Sequence, residues 1–337
     1  MSCVIYPLMF DTAVHFAPTG QEGRLNAAGV SYTADTLFSA LCAELAAADE
    51  IAALERLYQQ VMQGAIRFSD LMPWRRDGDG EMAFYLPRPV LLIPADTMSH
   101  GEGYDTVCCQ ASARKKQKSM KYIRASEMDA YVHAMRTGKV LASGAEVGAA
   151  SLRPRVNTRG EVPLPYYVGQ FDFHVDAGLY LLLETGDEAL ADWMGELLTW
   201  LGMTGIGGKR SSGLGKFHIE EEGDIRLDTS EDGIYTDDAA LCTLLAAADA
   251  PWQMALSPVL PTTEDLAAVK EGAYRLRRAG GFITDPRHAA VKKNSVCLID
   301  AGSCLRTRVA GSLCELGTQD GHPVWRYGFG LYAGVTA

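Results

Sequence analysis

The loop TGIGGKRSSGLGKFH at residues 204–218 is the part of the sequence best suited to hold an anion. Five glycines stand within the eleven residues from Gly205 to Gly215, and Lys209 and Arg210 lie at the centre. Glycine adopts positive φ and lets a partner approach the backbone closely, so that N–H groups can face phosphate oxygens. The residue types therefore predict phosphate binding, with a merely flexible connection as the alternative.

The spacing in this loop excludes two common nucleotide motifs. A Walker loop needs glycine at position 203, which is Met203, and Ser or Thr after the lysine, where Arg210 stands. A dinucleotide fingerprint that begins at Gly205 needs a third glycine at position 210, and one that begins at Gly213 needs it at His218. What remains is a basic loop between a helix and a strand, which suits the long backbone of a nucleic acid better than a nucleotide pocket.

Two other segments concentrate positive charge. The run ARKKQKSMKYIR at 113–124 is predicted to line an RNA groove, with Tyr122 as a stacking face, and a solvated helix face is the alternative. The stretch SLRPRVNTRG at 151–160 places arginines on an extended segment that suits either RNA or an acidic partner surface. The cations concerned are Arg114, Lys115, Lys116, Lys118, Lys121 and Arg124 in the first segment, and Arg153, Arg155 and Arg159 in the second.

A third basic group lies nearer the C-terminus. Arg275, Arg277 and Arg278 precede the glycine pair at 280–281. Because alternate residues of a strand share a face, Arg275 and Arg277 are expected side by side. The pattern predicts a basic face beside RNA or a partner, with an ordinary solvated edge as the alternative.

The overall composition limits how nucleic acid can be bound. The formal net charge of −11 over 337 residues restricts any polyanion site to local basic patches. No apolar stretch approaches the roughly 18 residues that span a bilayer, and the run VIYPLMF at 4–10 resembles a first strand more than a signal peptide. The eight cysteines include no CxxC pair, which indicates reduced thiols without structural zinc. We therefore expect a soluble, cytoplasmic protein that does not contact membranes.

Histidine and acidic residues raise the alternatives of catalysis and metal binding. RNA cleavage through the 2′-hydroxyl needs a base, and His15, at the end of the first strand after Asp11, is the best candidate, with Lys209 or Arg210 as its partner. A lone histidine at a strand end is more often structural or RNA-contacting. The carboxylates show no paired ligand spacing, and Asp35, like Thr33, sits where the helix at 33–48 needs a cap. We expect no catalytic residue, metal or cofactor.

Hydrophobic periodicity predicts the elements that position these residues, once residues 94–165 are set aside as an insertion. The N-terminal elements are a strand at 2–11, helices at 33–48 and 51–64, strands at 66–74 and 83–93, a hairpin at 166–184 turning at 176–178, a helix at 187–202 and a strand at 214–221. The order strand, helix, strand, strand, helix, strand is that of a ferredoxin-like or RRM-like domain.

The remaining residues loosely repeat this order. The predicted elements are a helix at 239–249, a strand at 252–260, a helix at 262–272 and strands within 273–283, 294–305 and 324–333. The fold class predicted is α+β, with two ferredoxin-like domains at 1–221 and 222–337, the first carrying the insertion and the glycine-rich loop.

Several stretches together resemble the RAMP superfamily, and within it the fourth subunit of the type III-A (Csm) CRISPR interference complex. They are VHF at 14–16, YTADTLFSALCAEL at 32–45, GIGGKRSSGLGKF at 205–217 and the late stretches YRLRRAGGFI and NSVCLIDAGSCL. The loop alone indicates only the superfamily, and its combination with the other stretches indicates this subunit. Residues 94–165 have no pattern that matches.

The resemblance implies a non-catalytic scaffold that holds the crRNA 5′ handle. It further implies docking against the large polymerase-like subunit and a backbone RAMP subunit, and an inserted hairpin thumb against the guide–target duplex. Since related RAMP proteins cut crRNA precursors, a ribonuclease with His15 as base is the alternative. The expected RNA-binding residues are Gly205, Gly207, Gly208, Lys209, Arg210, Ser211 and Ser212 in the loop, with Lys115, Lys116, Lys118, Lys121, Arg153, Arg155, Arg159 and His15 elsewhere.

Overall fold

A computed structural model describes nine segments of the 337-residue chain. They are residues 2–18, 24–96, 103–141, 144–158, 162–220, 225–227, 236–283, 291–319 and 322–337. Arg159, one of the predicted RNA-binding residues, lies outside them. Among the described residues, no helix is long and apolar enough to cross a bilayer.

One antiparallel sheet of eight strands forms the centre of the molecule. Its strands are β1 (Ser2–Phe10), β2 (Ile66–Phe68), β3 (Met72–Arg76), β4 (Met82–Pro87), β5 (Tyr122–Arg124), β8 (Ala177–Thr185), β9 (Phe217–Ile219) and β10 (Ile225–Leu227). Its main path runs β10, β1, β8, β3, β4, β5, while β2 pairs with β8 and β9 pairs with β1. With β1 and β8 central, and β9 and β2 outside them, the pairing is consistent with the predicted ferredoxin-like layout.

The central strands are buried on both faces, which explains their nearly continuous apolar sequences. Along β1, Val4, Tyr6 and Leu8 enter one hydrophobic cluster and Ile5 enters another. The first cluster contains the buried sides of α1 (Ala34–Ala47), α2 (Ile51–Met62) and α5 (Glu188–Thr204). The second contains side chains of α4 (Met128–Thr137) and α6 (Thr236–Ala246) together with C-terminal strands. The sheet is therefore the middle of three layers.

The insertion is more regular than the sequence predicts. The lysine-rich run forms most of α3 (Tyr104–Ser119), which packs against α4. The next two strands, β6 (Gly148–Asn157) and β7 (Leu164–Phe173), form a long antiparallel hairpin. The predicted hairpin at 166–184 is therefore wrong, because β7 pairs with β6 whereas β8 uses both its edges inside the main sheet. The turn at 176–178 instead leads from one sheet into the other.

The C-terminal residues form a smaller sheet and several two-stranded ribbons. The strands are β11 (Trp252–Ala255), β12 (Leu276–Ala279), β13 (Phe282–Ile283), β14 (Val291–Lys292), β15 (Val296–Ile299), β16 (Cys304–Leu305), β17 (Cys314–Gln319), β18 (His322–Arg326) and β19 (Tyr332–Val335). The short helix α7 (Leu266–Lys270) lies among them. The three-stranded sheet has the order β16, β11, β19, and the ribbons pair β12 with β15, β13 with β14 and β17 with β18. These described elements do not complete a second four-stranded ferredoxin-like sheet, so that domain stays a prediction.

The two halves of the chain share their hydrophobic cores. The ring of Tyr327 stacks on Phe68 with centroids 4.4 Å apart, and the Phe68 N–H donates to the Tyr327 hydroxyl at 3.1 Å. Strand β10, beyond the predicted boundary at 221, pairs with β1 and so continues the N-terminal sheet. The halves are therefore packed together rather than merely linked.

Candidate nucleic-acid interface

The glycine-rich loop follows the end of α5 and is fixed by backbone hydrogen bonds. The Ile206 N–H donates to the Gly215 carbonyl at 2.9 Å, which closes the base of the loop. The Gly215 N–H donates to Ala13 and the Gly208 N–H donates to His15, each at 2.9 Å. These bonds tie the loop to the segment that follows β1, so the loop is held in one arrangement.

The glycines are required by close packing and positive φ. Gly215 has a φ of +81°, and a Cβ at this position would lie 1.9 Å from the Ile206 carbonyl oxygen. A Cβ on Gly207 would lie 2.7 Å from the Phe16 ring, and one on Gly208 would lie 2.6 Å from the His15 ring. All three distances are below ordinary van der Waals contact. The geometry therefore favours a packed loop over the alternative of a flexible connection.

The tip of the loop leaves backbone N–H groups available. Lys209 is left-handed, with φ of 63°, and a 3-10 turn at Arg210–Ser212 follows it. The described residues provide no hydrogen-bond acceptor for the amides of Lys209, Arg210 and Ser211. A left-handed residue followed by right-handed ones directs successive amides into a small concavity that suits an anion. With the exposed Ser211 and Ser212 hydroxyls beside them, these amides can bind phosphate or sugar oxygens.

The loop and the β6–β7 hairpin meet at Tyr166. The Lys209 ammonium lies 5.4 Å from the centroid of the Tyr166 ring, within the range of a cation–π contact. Tyr166 pairs across the hairpin with Arg155, and Val168 pairs with Arg153, so these side chains share one face of the ribbon. The structure thus brings two of the predicted basic segments to one surface, and it adds an aromatic ring that the sequence reasoning did not select.

Arg210 is more restrained than its neighbour. Its Nη1 atom lies 3.6 Å from Glu44 Oε2 of α1, and its side chain is 41% exposed. A partly exposed ion pair of this kind is worth at most about 1 kcal/mol. Arg210 can therefore exchange Glu44 for a phosphate at little cost.

His15 lies under the loop. Its Nδ1 donates to the Gly169 carbonyl of β7 at 2.6 Å, and the residue is 8% exposed. The carbonyl fixes the proton on Nδ1, which leaves Nε2 as the acceptor nitrogen. His15 thus connects the loop to the hairpin, and its direct contact with RNA stays a prediction.

The residues that were predicted to line one lysine-rich RNA groove lie in separate parts of the structure. Lys115 and Lys116 are exposed on α3, and neither has a described contact with the loop or the hairpin. Lys118 and Lys121 line a cavity together with Tyr122. The run therefore does not form one continuous basic face.

Three further residues of this run have structural roles that the sequence did not predict. Arg114 donates to the carbonyls of Met135 and Arg136 at the end of α4. Arg124 pairs with Asp237 at 2.8 Å and with Asp77 at 3.2 Å. The hydroxyl of Tyr122 bonds to Ser31, and burial raises its pKa. Their sequence neighbours gave no sign of these distant partners.

The C-terminal arginine group is also divided. Arg277 is directed inward, with Nη2 2.9 Å from Asp35 Oδ1, and Arg326 Nη1 lies 2.6 Å from the other Asp35 oxygen. Arg275 and Arg277 do lie side by side, since both reach Asp300, at 3.7 and 3.3 Å. The expected basic face is nevertheless wrong, because Arg277 is paired and largely buried, whereas Arg275 and Arg278 remain exposed. Burial of a guanidinium needs a carboxylate, and Asp35 provides it from the other half of the chain.

Of the two residues expected near the N-cap of α1, Thr33 holds that position and Asp35 lies within the first turn. The Ala34 N–H donates to Asp70 Oδ1 at 2.8 Å. Burial opposes the ionisation of Asp35, but Arg277 and Arg326 outweigh it and hold its pKa below the usual range. Among the described residues, no group of three or more potential ligands is placed to hold a metal ion.

Comparisons with known proteins give the family context. Residues 248–335 match the model of the CRISPR Csm4 C-terminal domain. The chain is 27% identical over 338 residues to the CRISPR system Cms protein Csm4 of Mycobacterium tuberculosis (strain CDC 1551 / Oshkosh), covering 98% of this chain and 97% of the relative.

Solved structures show the same fold along nearly the whole chain. A chain of the Csm3–Csm4 subcomplex in the type III-A CRISPR-Cas interference complex has a TM-score of 0.57 at 15% identity, covering 99% of both chains. A chain of the Csm1–Csm4 cassette in complex with AMPPNP has a TM-score of 0.56 at 17% identity, covering 99% of this chain and 97% of that chain. The resemblance predicted from the sequence is therefore confirmed: the chain is similar to Csm4 proteins over nearly its whole length.

Proposed function

We propose that this protein is a non-catalytic, RNA-binding subunit of a type III-A CRISPR effector complex and that it holds the 5′ handle of the crRNA. The observation that carries the proposal is the contact of Lys209 with Tyr166, which joins the glycine-rich loop and the β6–β7 hairpin into one surface. A cytoplasmic location follows, because the RNA it would hold is intracellular.

The chemistry of this surface suits single-stranded RNA. The amides at the loop tip are placed for phosphate oxygens, and Lys209, Arg153 and Arg155 supply charge on the hairpin side. Tyr166 offers a ring face for an unpaired base on this side of the hairpin. The backbone contacts would hold any sequence, and base preference would come from the hairpin side.

The known assemblies of relatives support a scaffold role. Solved structures of similar chains are a Csm3–Csm4 subcomplex and a Csm1–Csm4 cassette. We propose that this chain likewise docks a backbone subunit on one side and the large subunit on another. The hairpin would then lie near the duplex of guide and target.

The environment of His15 supports the absence of catalysis. A general base must reach the 2′-hydroxyl of the substrate, but His15 is buried between the loop and β7 with its Nδ1 already bonded. Its position suits support of the loop. The lysines of α3 are not needed for this proposal.

The test is RNA binding by the purified chain at two or more salt concentrations. A labelled crRNA with its natural 5′ handle is compared with a scrambled handle, using the wild type and the Lys209→Ala/Arg210→Ala variant. We expect a handle preference, no cleavage, and a loss in the variant of about 0.7 in the slope of log affinity against log salt for each lost contact.

Arg56→Ala/Lys270→Ala provides a control with the same change in charge at two exposed sites outside this surface. Equal affinity and slope in the loop variant and the wild type would contradict the proposed grip. RNA cleavage that disappears in His15→Ala would instead support the ribonuclease alternative.

A further inference from the structure

A polar cavity of about 760 Å³ lies between the two halves of the chain, apart from the loop tip. Its walls come from the segment before α1, the start of β3, the end of β4, the junction of α3 and β5, and residues 300–301. Its volume falls within the roughly 300–1,000 Å³ of small-molecule sites, and such sites favour positions between domains. Tyr32 separates it from the loop, since the Tyr32 ring packs on Phe16 at 4.8 Å and its hydroxyl accepts from the Gly207 amide.

Four cations line the cavity, and two of them have no described acceptor. Lys118 and Lys121 are exposed, and no hydrogen bond or ion pair to either ammonium group occurs within the described segments. Arg88 is fixed beside them, because its Nε donates to the Met120 carbonyl at 3.1 Å. Arg275 lies on the rim, 3.7 Å from Asp300, with a side chain 55% exposed. Two exposed ammonium groups without described partners, in a cavity that also contains two guanidinium groups, suit a phosphate.

The opposite side carries a buried carboxyl group. Asp70 Oδ1 accepts from the Ala34 N–H at 2.8 Å, and Asp70 Oδ2 has no partner among the described residues. Asp70 is only 8% exposed, and it lines the cavity. A polar atom in such a place normally has a hydrogen-bond partner. The carboxyl is thus available to a polar ligand.

The remaining wall is flat and partly apolar. Tyr122 lines it, with its hydroxyl held by Ser31, and Met72, Pro73 and Pro87 complete the surface. Aromatic and apolar side chains with a few fixed polar groups are the usual lining for a nucleobase.

We propose that this cavity binds one nucleotide unit, with its phosphate at Lys118 and Lys121 and its base against Tyr122 and Asp70. The ligand is either a free nucleoside monophosphate or one nucleotide of a bound RNA. In the second case the inference rests on the proposed function.

The state of Asp70 decides what the carboxyl can bind. Burial raises the pKa of Asp70 well above its usual range, which favours the protonated carboxyl over the carboxylate. A protonated carboxyl donates one hydrogen bond and accepts another. Each of the four bases presents a donor beside an acceptor on its Watson–Crick edge. We therefore expect the carboxyl to accept any base, without strong selection among them.

The first arm of the test measures binding of AMP, CMP, GMP and UMP to the purified chain by titration calorimetry. Lys118→Ala/Lys121→Ala is expected to weaken AMP binding about tenfold or more. Lys115→Ala/Lys116→Ala, which removes two lysines of the same helix away from the cavity, is the matched control and should leave AMP affinity unchanged. Asp70→Ala should weaken the binding of all four mononucleotides, and if it does not fold, the Lys118→Ala/Lys121→Ala variant decides.

The second arm uses RNA in which each handle nucleotide in turn is abasic. If RNA is the source, one abasic position weakens binding to the wild type but not to Lys118→Ala/Lys121→Ala. If no mononucleotide binds and no abasic position matters, the inference is overturned, while loss of handle binding in Lys209→Ala/Arg210→Ala would still support the proposed function. Conversely, AMP binding by a chain that binds no RNA would support this inference and contradict the proposed function.

Discussion

Two arginine pairs of this protein have opposite environments. Arg153 and Arg155 alternate along β6 and are exposed on the hairpin, where Arg155 lies opposite Tyr166. Arg277 and Arg326 also lie on short C-terminal strands, but both contact the buried carboxylate of Asp35. The first pair is available to a ligand, and the second holds the halves of the chain together.

The difference teaches that a basic stretch is a binding site only when no acidic partner reaches it within the fold. Asp35 lies 242 residues from Arg277 and 291 residues from Arg326 along the chain. A guanidinium beside a buried carboxylate is neutralised and desolvated, so it cannot attract RNA. Four predictions, from the largest effect to the smallest, test this comparison.

Asp35→Ala should have the largest effect on stability. It leaves Arg326 buried without a carboxylate and leaves Arg277 with Asp300 alone, and breaking a buried ion pair in this way costs about 3–5 kcal/mol. Urea unfolding measures the change in the free energy of unfolding. Glu44→Ala, which removes the partly exposed partner of Arg210, is the control and should cost about 1 kcal/mol or less. Equal losses of stability in the two variants would show that the buried ion pairs of Asp35 contribute no more than the partly exposed pair of Glu44.

Two glycines of the loop extend the comparison to the backbone. Gly213 and Gly215 have nearly the same φ, +83° and +81°, but only Gly215 faces a close neighbour, the Ile206 carbonyl. An alanine in left-handed backbone costs about 1–2 kcal/mol, and the contact adds to this only at Gly215. Gly215→Ala should therefore lower the free energy of unfolding by about 1 kcal/mol more than Gly213→Ala. If the two substitutions cost the same, the loop is not packed as described.

The exposed arginines should affect RNA and not stability. Arg153→Ala/Arg155→Ala should leave the free energy of unfolding within about 0.5 kcal/mol of the wild type. The same variant should weaken RNA binding and reduce the salt slope by about 1.4 if both side chains contact phosphates of a single strand. Filter binding over a salt series tests this, with Arg278→Ala as an exposed arginine outside the hairpin for comparison. An unchanged salt slope would show that the hairpin is not part of the RNA-binding surface.

The two buried aspartates should show opposite pH dependence. The stability due to Asp35, whose folded pKa is lowered by its arginines, is complete above the unfolded pKa of about 3.9 and is lost as pH falls through the folded pKa. The stability due to Asp70, whose pKa burial raises, is complete below that unfolded pKa and is lost as pH rises toward the folded pKa.

Asp70→Asn removes the second dependence and can retain the acceptor for the Ala34 N–H. The free energy of unfolding of this variant, relative to the wild type, should therefore rise as the pH is raised above about 4, toward the folded pKa of Asp70. Thermal or urea unfolding across that range measures it. A constant or falling difference would contradict the burial of a neutral Asp70.

Much of the fold could be predicted because its signals are local. The periodicity that predicted helices at 33–48 and 187–202 is close to α1 and α5, and Asp187 does cap the second of these, since its Oδ1 accepts from the Ala189 N–H at 2.9 Å. The apolar run at 4–10 became β1 because both of its faces are buried. Such signals need only neighbours along the chain.

The errors came from partners that are distant in sequence. The predicted hairpin at 166–184 has a good turn, but the pairing of β7 with β6 and of β8 with β1 overrides it. The roles of Arg124 and Arg277 depend on Asp237 and Asp35, which no local pattern connects to them. Tyr166 was missed although it stands in a tyrosine pair at the start of the predicted hairpin, a signal that could have marked it as an aromatic face beside the basic segment.

The stacking of Tyr327 on Phe68 has a consequence for biosynthesis. These residues are 259 positions apart, and Phe329 belongs to the same cluster as the first helices and strands. During translation the first core would therefore be complete only after nearly the whole chain has been made. Long-range contacts of this kind slow folding, and an unfinished core exposes apolar surface while it waits. We expect the nascent chain to need protection by chaperones, and we expect premature termination before Tyr327 to give degraded product rather than a shortened working subunit.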